Sequence, residues 1–213
     1  MSILFPILIF LIIVGTTWWL GSWNIMINLI NFFIAALVAS SFYENLASLF
    51  YSFNGSYEYL VDFIALWALF VITFVVLRLA TDLLSRYQLQ MNIWAEYATR
   101  TVLSVWLAVA FICFASFTLH TAPLPPDRFD IGPGQKLFGF GPDRLWMAFI
   151  QSRSRGALSE SRQASFLPEY NLPEHPEDAD LNARVFDPYS QFSERWAVRR
   201  RDLSQTETLR VAR

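Results

Sequence analysis

The stretch NIMINLINFFIAALVASSFY, residues 24–43, decides the fold class. It holds no charged side chain, and the first acid after it is Glu44. A helix rises about 1.5 Å per residue, so about 20 apolar residues cross the ~30 Å hydrocarbon layer. In lipid, backbone N–H and C=O groups must be satisfied internally, which makes such a run a helix and not a strand. Three more runs have the same character. Ile3 to Leu20 is uncharged, Leu60 to Ala80 has Asp62 at its start and Arg78 at its end, and Thr101 to Thr121 contains one titratable group, His120. The expected fold is an all-α membrane protein, with four transmembrane helices in an antiparallel bundle and a polar tail carrying one short amphipathic helix.

Charge divides the chain at the same place. Residues 1–122 hold three arginines and five acids, whereas residues 123–213 hold 13 basic and 13 acidic side chains. Overall 54% of residues are hydrophobic and 16% charged, against about 25% charged in ordinary soluble domains. One water-soluble domain is excluded. The expected organisation is a four-span domain over 1–122, a Pro/Gly-rich connection with the amphipathic helix over 123–158, and a polar, flexible or partner-ordered tail over 159–213. Net charge is −2, which argues against a nucleic-acid partner. Cys113 stands alone, so neither an internal disulfide nor a thiolate metal cluster is expected.

The first run lacks a positive n-region and a small-x-small cleavage site, so it reads as a retained span and not a secretory signal. Arg86 and Arg100 lie in the connection between the third and fourth runs, while the connection carrying Glu44 and Glu58 has no basic residue. The positive-inside rule therefore places the Arg86 and Arg100 end in the cytoplasm. Four crossings then leave the N-terminus and the tail outside. Trp18, Trp19, Trp23, Tyr51, Tyr57, Tyr59, Tyr87, Trp94 and Tyr97 fall at span ends, where amphipathic rings favour the membrane interface.

In the tail, Pro142 and Asp143 open a run with Leu145, Trp146, Phe149 and Ile150 on roughly one face. Proline in the first turn and an acid near the N-terminus both favour a helix start. The expected placement is on the membrane surface or packed on the spans; with the tail outside, that means the outer leaflet or the periplasmic ends of the spans.

Asn24, Asn28, Asn31 and Ala35 follow an i, i+4, i+7, i+11 spacing, with Ala35/Ala39 and Ala36/Ser40 as small-xxx-small pairs beside them. This polar face serves either helix packing, where amide and small side chains permit close approach, or a solute path that would also use Asp62. Asp62 by itself is expected at the interface, facing water. Arg78 with Asp82, and Glu96 with Arg100, are i, i+4 pairs that read as interfacial charge anchors.

Asn54-Gly55-Ser56 fits a glycosylation sequon and equally a turn, and the Gly132-Pro133-Gly134-Gln135-Lys136 stretch lacks the ending of a phosphate loop. His120 and His175 have no ligand pattern around them, and no nucleophile motif or paired carboxylate stands out. Neither an enzyme nor a cofactor is expected.

The four-span layout resembles the colicin V production protein (CvpA) family of bacterial inner-membrane proteins. The resemblance rests on Ser41-Phe42-Tyr43-Glu44-Asn45-Leu46-Ala47 closing the second run, Arg78 closing the third, and the helix from Asp143 to Ile150 followed by Ser152 and Ser154. It covers about residues 1–160. The chain departs from the family at Gly21-Ser22-Trp23-Asn24, where an Arg-Gly turn is usual, and at Ala95, Ala98 and Thr99, where glycines are usual. The resemblance implies a multi-pass protein of the bacterial inner (cytoplasmic) membrane linked to toxin production or export and to envelope homeostasis. Its expected role is that of an accessory or scaffold component with a periplasmic tail. Its expected partners are the lipid bilayer and either a membrane protein or a second copy. The competing reading is a small transporter or channel subunit with a polar path along the second span.

Overall fold

The computed structural model describes residues 4–51, 58–84, 92–122, 141–154, 192, 193 and 195–198. The Asn54 turn, Arg86, Tyr87, the Gly132 to Lys136 stretch, His175 and most of the tail lie outside the described residues. Among the described residues the main helices are α1 (Leu4–Trp18), α2 (Ser22–Tyr51), α3 (Glu58–Leu84), α4 (Ile93–Thr118) and α5 (Pro142–Ser154). No strand occurs among the described residues.

Three of these helices, α2, α3 and α4, are long and apolar enough to cross a membrane. Their outward faces are apolar too: Ile64, Val71, Ile72, Val75, Val76 and Leu79 on α3 and Val102, Val105 and Val109 on α4 are exposed. Large contiguous apolar surfaces of this kind are foreign to soluble monomers and match a lipid solvent. Helix α1 is apolar but has 15 residues, about 22 Å of helix, which is shorter than the run from Ile3 to Leu20 suggests.

Pairing of the helices follows the small residues. Ala35, Ala36, Ala39 and Ser40 of α2 and Ala65 of α3 are fully or almost fully buried, and α2 and α3 form the most extensive antiparallel seam. Helix α4 runs parallel to α2: Ser22 meets Glu96 at one end, and Phe32 meets Phe111 and Phe114 further along. A short connection predicts α1 against α2. Instead α1 packs chiefly on α4, with Trp18 against Tyr97, and touches α2 only slightly. The reason lies at the corner between α1 and α2, where Gly21 has φ +82°. That left-handed conformation favours glycine and turns the chain sharply. A Cβ there would also stand 3.8 Å from Glu96 Oε1 and 3.9 Å from Arg100 Nη2. Glu96 draws α4 to this corner, and α1 lies along α4.

Helix α5 packs on the spans: it runs back along α4 in the groove beside α2. Asp143 meets His120 just past the end of α4, and Trp146 meets Phe114 about a turn and a half earlier in that helix. Trp146 and Ile150 are buried, whereas Leu145, expected on the same face, is 61% exposed. Part of the tail is anchored as well. Phe192 stacks on Phe117 at 4.9 Å, and Phe192 and Trp196 are buried.

Candidate functional site

Polar side chains collect at the two ends of the bundle, with a layer of aromatic rings between them. At the α1–α2 corner, Glu96 accepts hydrogen bonds from the Ser22 backbone N–H (2.9 Å) and the Ser22 hydroxyl (2.5 Å). Ser22 opens α2, so the carboxylate satisfies one of the free N–H groups of the first turn and complements the positive end of the helix dipole. Arg100 donates to the same carboxylate at 2.8 Å and closes the expected i, i+4 pair. The pair therefore fastens α4 to the start of α2 and does more than reach for the interface.

The second expected pair, Arg78 and Asp82, forms at 3.0 Å. Arg78 also donates to Asn28 Oδ1 at 2.9 Å, and Asn31 donates to the Thr81 hydroxyl at 3.0 Å, which in turn donates to the Leu77 carbonyl at 2.8 Å. Both amides thus face α3. Asn24 does not join them: its amide turns back to the Leu20 carbonyl at 2.9 Å on the exposed side. Of the four-position face, Asn28, Asn31 and Ala35 share the seam.

At the opposite end lie groups that the linear sequence does not bring together. His120 Nε2 and Asp143 Oδ2 are 2.9 Å apart, and both side chains are buried. The Trp146 indole N–H donates to the Ser40 hydroxyl at 3.3 Å, and Trp67 donates to the Thr118 hydroxyl at 3.2 Å. Tyr43, fully buried, donates to Glu44 at 2.9 Å. Asp62 sits near this end and is 4% exposed, so it does not face water as an interfacial acid would. A carboxylate removed from both water and lipid is held by neighbouring polar groups.

Between the two ends the seam is closed by rings. Phe32 contacts Phe33, Phe70, Phe111, Phe114 and Trp146 with centroids 5.7–6.2 Å apart, and Phe70 meets Phe114 at 4.8 Å. Trp67 joins the cluster through Phe70, Phe111 and Phe114. Asn31 and Asp62 lie on opposite sides of this layer, so the structure does not bring the expected path residues together.

No trio of His, Cys, Asp or Glu side chains among the described residues is disposed to hold a metal ion. His120 and Asp143 are hidden from sequence reasoning because more than twenty residues separate them, including the Pro/Gly-rich connection. The one available signal, Asp143 after Pro142, marks a helix start equally well. Chemically, the arrangement offers buried hydrogen bonds that fix helix positions. No family model matches the chain, and no curated protein or solved structure matches it.

Proposed function

We propose that the chain is a multi-pass accessory or scaffold protein of a bacterial inner membrane, of the type that the colicin V production resemblance implies. In this reading α1 to α4 all cross, the Arg78, Glu96 and Arg100 end faces the cytoplasm, and the tail lies in the periplasm. The role is to hold a membrane partner or a second copy during toxin export or envelope maintenance, and no catalytic step is included. One observation carries the reading: the Asn28 and Asn31 amides of α2 are engaged with Arg78 and Thr81 of α3, and aromatic rings close the bundle between them and the His120 end. A solute path needs polar faces converging on continuous water, and a scaffold needs polar contacts that hold its helices in place.

Purified protein in lipid vesicles tests this. Replacing Asn28 and Asn31 together by leucine is expected to destabilise the α2–α3 seam by about 0.6–2 kcal/mol for each amide contact, seen as a lower unfolding midpoint. Vesicles carrying either form should be no more permeable to small ions than empty vesicles. Ion flux through the native protein, lost in the double variant, would replace the scaffold with the channel reading.

A further inference from the structure

Helix α5 raises a question of depth. Phe33 stands eleven residues from Ser22, where Glu96 clasps the start of α2, and eleven residues from Glu44 at the other polar end. At about 1.5 Å per residue it lies about 16 Å from each, close to the middle of the embedded layer. Phe149 of α5 packs on Phe33 at 5.5 Å, and Trp146 stacks on Phe33 at 6.2 Å. The helix starts at the His120 end and descends along α4, so its last turn reaches at least this depth. That turn carries Ser152 and Arg153, both exposed, with the guanidinium donating to the Ser152 hydroxyl at 3.3 Å.

A guanidinium and a hydroxyl at mid-depth are costly against lipid, and charged groups there face the protein interior or a water-filled cavity. Arg153 is too far from either surface to reach it with its own side chain. We propose that α5 is a re-entrant half-helix whose last turn borders a water-filled vestibule. The vestibule opens toward the side on which α5 begins and is closed below by the aromatic layer. The proposal rests on α2, α3 and α4 crossing the membrane. It gives small hydrophilic solutes access to half the membrane depth without a through path.

The test uses the full chain in vesicles, with the native protein and its buried Cys113 as background. Ser152→Cys should react with a small charged methanethiosulfonate at least tenfold faster than Ile72→Cys, which places a thiol on the lipid-facing side of α3 at similar depth. p-Benzoylphenylalanine in place of Phe149 should photocrosslink to α2, and p-benzoylphenylalanine in place of Phe33 should photocrosslink to α5. A reactive Ser152→Cys without the crosslink places α5 on the surface and overturns the proposal. A crosslink with Ser152→Cys as unreactive as Ile72→Cys removes the vestibule and also overturns it. Rapid reaction of Ile72→Cys itself would contradict the membrane crossing, a failure distinct from the other two.

Discussion

Replacing Trp146 with alanine is expected to lower stability by about 3–5 kcal/mol, the usual cost of deleting a buried large aromatic ring. The indole is 2% exposed and touches Phe32, Phe33, Phe114 and Phe149, so its removal empties a space ringed by rigid groups from two long helices. Dispersion attraction across such a void is forfeited, because neighbouring rings cannot collapse into it without breaking their own edge-to-face packing. Trp146→Phe keeps most of the ring and loses the hydrogen bond to Ser40, which should cost about 1 kcal/mol. Thermal unfolding of the purified variants in detergent measures both. Equal stability of Trp146→Ala and the native chain would mean that α5 does not pack in the groove between α2 and α4.

The second large effect is expected at the α1–α2 corner. Glu96→Ala removes the acceptor for two hydrogen bonds from Ser22 and the partner of Arg100. Hydrogen bonds to charged groups contribute about 1.5–3 kcal/mol each when shielded, but this carboxylate is 22% exposed, so a total of about 2–3 kcal/mol is expected. Glu96→Gln retains an oxygen for Ser22 and should recover about half of the loss. The same unfolding measurement separates the two variants. A loss no larger than that of a surface substitution, within about 0.5 kcal/mol, would show that the clasp does not hold α4 to the corner.

Fold class was legible because the lipid constraint is written in composition: long uncharged runs bounded by charges have few structural solutions. The seam was partly legible for the same reason. Asn28, Asn31 and Ala35 fall on one face by helical spacing, and an amide in hydrocarbon requires a partner. Which helix supplies that partner was not readable, since Thr81 and Arg78 carry no mark that distinguishes them from other polar residues at a span end. Asn24 fits the same spacing, yet one further turn toward the corner leaves it near water, where its own backbone suffices. Pro142 and Asp143 announce helix α5 but not its place. Amphipathic periodicity reports which residues are apolar and not whether lipid headgroups or Phe33 and Phe114 receive them. Phe192 and Trp196 are hidden among the charges of the tail, because two aromatic residues in a polar stretch make no period.

Sidedness and the number of crossings test the account most directly, because the positive-inside argument, the placement of α1 and the position of the tail all depend on them. Single cysteines introduced at Ser2 and Ser190 would be exposed to a membrane-impermeant maleimide in intact cells stripped of the outer membrane barrier, and again after lysis. Four crossings with the Arg100 end inside predict that both positions are labelled in intact cells. Labelling of Ser190→Cys only after lysis would place the tail in the cytoplasm, and labelling of Ser2→Cys only after lysis would leave α1 uncrossed; either result contradicts the account.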